Sequence, residues 1–250
     1  MRYLDLFSGI GGFALGLYWA GWRFEEHYFS EAEPYCIELY QKRFPDAIFL
    51  GDIKDIDCSE LPKGEWVITG GFPCQDISIA GRGEGIQAER SGLWFEMWRV
   101  IRELRPQWVV AENVGAITFR GLGAVVNSLA KIGYDCEWQD IRVSDVGAPH
   151  KRERIWIVAY PTSNRWSDRI CPVEYRKEGK RRETSFRSSY RKWVEIRQED
   201  KTISGEWIPR SETIGVASRI PRQVDRLKGL GNAIVPQIAE LIFRKINETI

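Results

Sequence analysis

The chain has 250 residues, of which 43% are hydrophobic and 28% charged, a size that accommodates one well-filled domain with a small appendage and excludes two large domains. Its formal net charge is +1, and it contains neither a signal peptide nor a run of 18 apolar residues. We therefore expect a soluble, cytoplasmic protein without a membrane partner.

Short apolar runs alternate with longer amphipathic runs over residues 1–160, which is the pattern of β-α units around a mostly parallel sheet. The short runs predict strands at residues 2–7, 24–31, 66–70, 108–112, 137–143 and 155–160. The amphipathic runs predict helices at residues 12–20, 34–44, 93–104 and 122–132. The predicted fold class is therefore α/β, with a doubly wound sheet.

This pattern breaks after residue 160. Residues 161–220 carry 14 lysines and arginines against 9 acidic residues, whereas the rest of the chain carries 22 against 26. The excess predicts a segment that faces a polyanion, although a solvated basic loop has the same composition. Because the segment is too long for an ordinary connection, it is either a small recognition module or partly disordered. Residues 234–246 then predict a closing helix.

Five cysteines without close pairs indicate a reduced, intracellular protein, and no CxxC or Cys/His cluster offers a metal site. Cys74 stands apart from the others because it follows an apolar run and the sequence GGFP. A strand that ends in glycines and continues into a stiff proline turn can present a sulfur atom in a ligand crevice. A free cysteine is also commonly a small buried hydrophobic residue, so this motif alone does not decide between a reactive cysteine and a buried structural one.

A glycine-rich turn, DLFSGIGGF, separates the first predicted strand from the first predicted helix. In doubly wound sheets such a turn lines the cofactor crevice, and an acid at the end of the second strand can hold ribose hydroxyls. Glu31 has that position, and Asp52 follows the next strand, where it could accept from an adenine amino group. Together they suggest an adenosine-containing ligand. The turn by itself could be a tight β-α connection, and its spacing is not that of GxGxxG.

Three later motifs contain further polar candidates. Glu112 lies at a predicted strand end, where burial can raise the pKa of a carboxyl group, although such an acid is more often a helix cap. Arg152 and Arg154 are two residues apart at the start of a predicted strand, so their side chains share one side. Paired guanidinium groups suit recognition of a phosphate or a base carbonyl, although a basic strand start is also commonly just solvated. The stretch GLGNAIVP late in the chain fits a loop that returns beside the first turn.

Taken together and in this order, these segments resemble the DNA (cytosine-5) methyltransferases that use S-adenosylmethionine. The resemblance is carried by DLFSGIGGF, GGFPCQDIS, ENV, APHKRERIW and GLGNAIVP, which span residues 5–160 and 226–239. It implies a Rossmann-like, seven-stranded, mostly parallel sheet. It also implies a catalytic, cofactor-binding domain made of residues 1–160 and 221–250, and a small basic target-recognition region at residues 161–220.

The resemblance also implies catalytic roles. Cys74 would attack C6 of a cytosine flipped out of duplex DNA, which makes C5 a nucleophile for the methyl group of the cofactor. Glu112 would meet N3 of the ring and supply a proton or hydrogen bond. Arg154 would hold the base O2, with Arg152 beside it and Asn113 orienting the pocket.

The cofactor implied by the resemblance is S-adenosyl-L-methionine. Its binding residues would be Phe7 against the adenine, the close-approach glycines Gly9, Gly11 and Gly12, Glu31 at the ribose, Asp52 and Ile53 at the adenine, and Pro73 and Asn232 at the methionine end. Residues 81–91 resemble the mobile loop that closes over DNA. DNA contacts are expected from Gln75, Ser78, Arg82 and Arg90.

Some features depart from the family pattern. Ala32 follows Glu31 where family members often have a larger side chain against the adenine, which predicts lower cofactor affinity. The ninth family motif is not recognisable in residues 218–226, and the recognition region is short, as in methyltransferases carried by phages or prophages. We expect a monomeric enzyme whose partner is double-stranded DNA. The sequence is compatible both with an enzyme that is paired with a cognate restriction endonuclease and with one that acts alone.

Two rival functions remain at this stage. The first is methylation of cytosine in RNA, because tRNA-modifying relatives share the nucleophile and acid motifs. The second is a catalytically silent DNA-binding protein that keeps the fold.

Overall fold

The computed structural model of the chain describes residues 1–73, 92–115, 117, 121–146, 152–163 and 233–249. Within these ranges one sheet contains seven strands in the order β3-β2-β1-β4-β5-β7-β6. The strands are β1 (Arg2–Leu6), β2 (His27–Ser30), β3 (Ile48–Phe49), β4 (Trp66–Gly70), β5 (Trp108–Val114), β6 (Tyr134–Arg142) and β7 (Glu153–Pro161). The α/β class and the seven-stranded sheet predicted from the sequence are therefore confirmed.

Five helices lie within the described ranges and connect or flank these strands. They are α1 (Gly12–Trp19), α2 (Pro34–Arg43), α3 (Leu93–Leu104), α4 (Leu122–Lys131) and α5 (Pro236–Asn247). Two short 3₁₀ turns follow strands, at Ile53–Asp55 and Val143–Val146. None of the helices in the described part of the chain is long and apolar enough to cross a membrane.

The strand order reverses at β1, and this reversal positions the site. β1 pairs in parallel with β2 on one side and with β4 on the other, where Leu6 lies opposite Gly70. Because connections leave these two strands in opposite directions, a crevice opens at their carboxyl ends. The glycine turn after β1 and the segment that leads to Cys74 therefore start side by side.

The other half of the sheet is mixed. β4 and β5 are parallel, but β7 runs antiparallel between β5 and β6. This reversal brings the start of β7 beside the carboxyl end of β5, so that Arg154 lies opposite Val114. The basic side chains that begin β7 consequently reach the same edge as the acid near the end of β5.

The apolar side chains form one cluster on each face of the sheet, because successive residues of a strand point to opposite faces. Tyr3 and Val67 belong to the cluster that contains α1 and α5, whereas Leu4 and Ile68 belong to the cluster that contains α3 and α4. Both faces are covered, which explains why the central strands are almost continuously hydrophobic.

Helices α1 and α5 approach each other closely at Gly16. A Cβ built at Gly16 would lie only 2.5 Å from the Cβ of Ala239, so any larger residue would push the helices apart. This contact joins the last helix of the chain to the first. The resulting packing brings the segment around Ile234 next to the glycine turn.

The predicted elements agree with the structure in kind and differ mainly at their ends. The bounds of β4 and α3 are those predicted, whereas β2 begins at His27 instead of residue 24. The amide of Glu25 still donates a 3.1 Å hydrogen bond to the carbonyl of Met1, and the carbonyl of Glu26 accepts one of 3.0 Å from the amide of Tyr3, so the chain approaches β1 before β2 begins. The recognition region predicted at residues 161–220 lies outside the described residues except for its first three.

Candidate active site

The turn after β1 has an unusual backbone conformation. Phe7, Gly9 and Gly11 all have positive φ, at 51°, 53° and 84°. A left-handed conformation is expected for glycine but strained for a bulky residue such as Phe7. Strain of this kind persists where surrounding contacts enforce it and is common at ligand sites. Phe7, predicted to pack on an adenine ring, is thus held in place by the turn.

Glu31 connects this turn to the start of α2. Its Oε2 accepts a hydrogen bond of 2.7 Å from the backbone amide of Gly9, and its Oε1 accepts bonds of 2.9 Å from the amides of Ala32 and Glu33. The carboxylate is only half-buried. Glu31, predicted to hold a ribose, therefore also fixes the backbone of the glycine turn, a role that the sequence did not indicate.

The three glycines of the predicted cofactor turn differ in their surroundings. Among the described residues, no atom lies within 4 Å of a Cβ built at Gly9. A Cβ at Gly11 would meet the Phe44 ring at 2.6 Å, and one at Gly12 would clash with the carbonyl of Ile234. Gly11 and Gly12 therefore allow close packing of neighbouring protein atoms, whereas Gly9 faces space that no described residue fills.

The acid after β3 begins a short turn. Asp52 accepts a 3.0 Å hydrogen bond from the amide of Lys54 through Oδ1, which caps the 3₁₀ turn Ile53–Asp55. The Ile53 side chain is 3% exposed and packs in the apolar cluster around α3. Any contact of Ile53 with a ligand would thus be made by its backbone.

An ion pair between a buried acid and a partly exposed arginine lies at the end of β5. The Nε atom of Arg154 is 2.9 Å from Oε1 of Glu112, a residue that is 8% exposed. Burial raises the pKa of Glu112 to about 7, against the opposing effects of the positive charges of Arg154 and Arg152. This carboxyl group can therefore exchange a proton near neutral pH.

Arg152 lies close to the same acid. Burial lowers its pKa, and the positive charge of Arg154 lowers it further. Its buried Nε has no hydrogen-bond partner in the structure as described. The predicted alternation of the two arginines thus places both guanidinium groups near Glu112, and it leaves Arg152 with an unused donor.

The end of β4 is held against this acid strand. Asn113 is 2% exposed, and its Nδ2 donates a 2.8 Å hydrogen bond to the carbonyl of Phe72, while its Oδ1 accepts from the amide of Val114. A Cβ at the neighbouring Gly71 would lie 3.7 Å from Oε2 of Glu112. The exposed Pro73 follows directly, so the chain enters the Cys74 segment beside the acid.

Several predicted site residues lie outside the described residues. They are Cys74, Gln75, Ser78, Arg82, Arg90 and Asn232. The residues that the structure does describe contain no group of three His, Cys, Asp or Glu side chains that could hold a metal ion.

One polar network at the site was missed by the sequence analysis. Asp5 is fully buried, and its carboxylate accepts hydrogen bonds of 2.7 Å from Thr69 and 2.9 Å from Tyr40. Burial raises the pKa of Asp5 to about 7. The available signal was a carboxylate in the otherwise apolar run YLDLF. This network joins β1, β4 and α2 directly beneath the glycine turn.

These elements match a known family. The family model for the C-5 cytosine-specific DNA methylases matches residues 1–224. The chain belongs to this family.

Type II methyltransferase M.NgoBI of Neisseria gonorrhoeae is 36% identical over 168 residues, which cover 64% of the chain and 50% of that protein. Type II methyltransferase M.HaeII of Haemophilus aegyptius is 37% identical over 163 residues, with the same two shares. The chain spans about half the length of these curated relatives.

Solved structures share the fold of this chain. A prophage-encoded candidate DNA modification methyltransferase of E. coli superposes with a TM-score of 0.61 at 18% identity, and the match covers 100% of the present chain and 99% of that one. DNMT2 of Spodoptera frugiperda gives a TM-score of 0.53 at 19% identity, and covers 71% and 53% of the two chains. At these identities the likeness concerns the fold alone.

Proposed function

We propose that this protein transfers a methyl group from S-adenosylmethionine to C5 of a cytosine flipped out of duplex DNA. The observation that carries this proposal is the ion pair of the buried Glu112 with Arg154, whose Nε and Oε1 atoms lie 2.9 Å apart, beside the strand end that leads to Cys74. A nucleophile, an acid that titrates near neutral pH and a guanidinium are the groups that such a reaction needs. Family membership supports the same reaction.

The residues at the carboxyl ends of β1, β2 and β3 fit the cofactor. Gly9 leaves open space at the turn, Glu31 stands at the end of β2, and Asp52 follows β3. Phe7 would pack on the adenine ring, and Glu31 would accept from the ribose hydroxyls. Pro73 and Asn232 would support the methionine end. The bound cofactor would supply an electrophilic methyl group.

Cys74 would start the reaction as a thiolate that adds to C6 of cytosine, because thiolate is both a good nucleophile and a good leaving group. The electron pair of the C5–C6 double bond then becomes available at C5, and the ring charge is absorbed at N3. Glu112, with a pKa of about 7, would donate its proton or a hydrogen bond to N3. Arg154 would hold O2 of the base at the same time.

C5 would then bond to the methyl carbon while the bond between that carbon and the cofactor's sulfonium sulfur breaks, and the electron pair of the broken bond would stay on that sulfur. A base, such as water, would remove the proton from C5, and the electron pair of that C–H bond would restore the C5–C6 double bond. The bond between C6 and the sulfur of Cys74 would break, and the thiolate would leave. Glu112 would take back the proton from N3, so the enzyme would return to its starting state.

Residues 161–220 would provide contacts to DNA. Their excess of positive charge suits phosphate contacts that position the duplex, with a few contacts to base edges for specificity. Gln75, Ser78, Arg82 and Arg90 would contact the strand near the flipped base. The relatives are named type II methyltransferases, which is compatible with a cognate restriction endonuclease and also with an enzyme that acts alone.

The deciding experiment supplies labelled S-adenosylmethionine with either duplex DNA or tRNA, using wild-type protein and the Cys74→Ser variant. We expect label in DNA with wild-type protein, and none with Cys74→Ser despite cofactor affinity close to wild type. Label confined to tRNA would make the DNA proposal wrong. Bisulfite sequencing of host DNA after expression then identifies the target sequence.

A trapping experiment separates catalysis from simple DNA binding. Duplexes that contain 5-fluorocytosine should form a stable covalent adduct with wild-type protein, because fluorine at C5 cannot leave as a proton does. Cys74→Ser is the matched control and should form none. If folded, cofactor-bound wild-type protein gives no adduct across varied sequences, the protein is a binder and not an enzyme.

A further inference from the structure

One arginine outside the recognised motifs holds the turn that begins at Asp52. Arg99 of α3 donates a hydrogen bond of 2.9 Å from Nη2 to the carbonyl of Ile53 and one of 3.0 Å from Nη1 to the carbonyl of Ile56. Ile53 is the first residue of the 3₁₀ turn, and Ile56 directly follows its end. The planar guanidinium therefore spans the whole turn.

The turn is also held by the Asp52 cap on the Lys54 amide, by the burial of Ile53 and by backbone hydrogen bonds. Its internal hydrogen bonds run from Asp55 to the carbonyl of Asp52 at 3.0 Å and from Ile56 to the carbonyl of Ile53 at 3.4 Å. The second of these is long for an amide hydrogen bond. Arg99 thus supplies the shorter bond to the Ile53 carbonyl, from a charged donor, and such bonds are stronger than neutral ones.

The Arg99 side chain is itself held by its own helix. Its Nε lies 2.9 Å from Oε2 of Glu96, and its Nη1 lies 3.7 Å from Oε2 of Glu103. These acids stand three residues before and four residues after Arg99, which places them on the same face of α3. The side chain is 25% exposed. Its orientation toward the turn is consequently fixed before any ligand binds.

The same helix also contacts the strand that leads to Cys74. The ring of Trp94 packs 4.9 Å from the ring of Phe72, and a Cβ built at Gly70 would lie only 2.9 Å from the sulfur of Met97. α3 is therefore one rigid element that touches both the end of β4 and the turn after β3. Displacement of the turn relative to the rest of the site is restricted by this connection.

We propose that Arg99 is a positioning residue for the adenine end of the cofactor: it fixes the turn Ile53–Asp55 and thereby the Asp52 carboxylate that receives the adenine amino group. This inference rests on the proposed function. Because Arg99 acts through the turn and touches neither the base nor the sulfur, its loss should weaken cofactor binding much more than it slows methyl transfer at saturating cofactor.

The test compares Arg99→Met with Arg102→Met by calorimetric titration with S-adenosylmethionine and by steady-state kinetics. Arg102 is a matched control because it lies on the same helix, is 50% exposed, and contacts Glu103 and the Trp98 ring instead of the turn. We expect Arg99→Met to raise Kd and the cofactor KM about tenfold, with kcat changed less than threefold. Arg102→Met should bind as wild type does.

Two further measurements distinguish positioning from general destabilisation. Amide hydrogen exchange should accelerate at residues 53–56 in Arg99→Met and not in Arg102→Met. In a double-mutant cycle with Asp52→Asn, the losses of affinity should be clearly less than additive, because both changes would remove the same contact. If Arg99→Met does not fold, Arg99→Lys takes its place. An ammonium group keeps the charge but cannot span both carbonyls, so cofactor affinity should fall below that of wild type by less than tenfold.

Each outcome is decisive. Wild-type affinity in Arg99→Met, or additive losses in the cycle, would overturn the role of Arg99 and leave the proposed function intact. A kcat that falls while Kd is unchanged would also overturn it. Failure of the wild-type protein to bind S-adenosylmethionine would overturn the proposed function itself.

Discussion

The side-chain amide of Asn113 donates a 2.8 Å hydrogen bond to the backbone carbonyl of Phe72, and both residues are almost fully buried. This bond joins β5, which carries the acid of the site, to the segment that leads to Cys74. This hydrogen bond adds to the pairing of β4 with β5 and fixes Phe72 relative to the strand that contains Glu112.

Asn113→Asp should disrupt this constraint. The variant replaces a donor with a carboxylate that faces the Phe72 carbonyl, and a buried acceptor without a donor costs about 1–3 kcal/mol. We expect a lower melting temperature and a loss of kcat of about a hundredfold, because small misplacements of reacting groups have effects of that order. Asn127→Asp on the exposed face of α4 makes the same chemical change and should alter neither. Equal activity of the two variants would show that the bond does not position the segment that leads to Cys74.

The sequence predicted the fold well because its signals are local. Apolar runs ended by glycine or proline located β4 and α3 with correct bounds. Glu112, Arg152 and Arg154 were selected from separate motifs, and the antiparallel β7 brings them together.

Other features depend on contacts between distant segments and could not be predicted. The sequence treated Gly11 and Gly12 as equivalent to Gly9, since only the packed structure shows which glycine faces protein. Arg99 appears in the sequence as one of several charged residues on an amphipathic helix. Its hydrogen bonds connect residues 43 and 46 positions apart.

The rate of methyl transfer should depend on the protonation of Glu112. With a pKa of about 7, the carboxyl group is protonated below that pH and can donate to N3. We expect kcat/KM for DNA to fall about tenfold per pH unit above 7, since this parameter reports groups of the free enzyme. Glu112→Gln should be much less active and should lose this limb of the profile. A wild-type rate that is flat between pH 7 and 9 would contradict the acid role.

The same group should make the protein less stable as pH rises. The folded state binds a proton on Glu112 more tightly than the unfolded state does, so the free energy of unfolding decreases between the ordinary pKa of 4.5 and about 7. The shift corresponds to a stability loss on the order of 3 kcal/mol. Denaturant titrations of wild type and Glu112→Gln should therefore diverge over this range, with the wild type relatively more stable at the acid end. A pH-independent difference would contradict the raised pKa.

Glu31→Gln should weaken cofactor binding and loosen the glycine turn together. The amide keeps the size of the side chain. It removes the negative charge and replaces one of the two oxygens that accept hydrogen bonds from the backbone amides of Gly9, Ala32 and Glu33. We expect the Kd for S-adenosylmethionine to rise at least tenfold in calorimetric titrations, and amide exchange at Gly9 to accelerate without cofactor. Glu38→Gln is the control, because Glu38 pairs with Lys42 on the exposed side of α2. Unchanged affinity in Glu31→Gln would exclude a role for this carboxylate at the ribose.

Gly9 and Gly12 of the turn should respond differently to substitution by alanine. In Gly12→Ala the new methyl group would overlap the Ile234 carbonyl, so α1 and the segment before α5 must separate and the melting temperature should fall strongly. In Gly9→Ala the methyl group meets no described atom, and the cost is the left-handed backbone, about 1–2 kcal/mol for a residue with a Cβ. Because that methyl group points into the space assigned to the cofactor, Gly9→Ala should lower affinity for S-adenosylmethionine more than its small loss of stability explains.

Thermal unfolding with and without cofactor measures the effects of both substitutions: cofactor should stabilise wild type by several degrees and Gly9→Ala by much less. If cofactor stabilises Gly9→Ala as much as wild type, the open side of this turn is not where the cofactor lies.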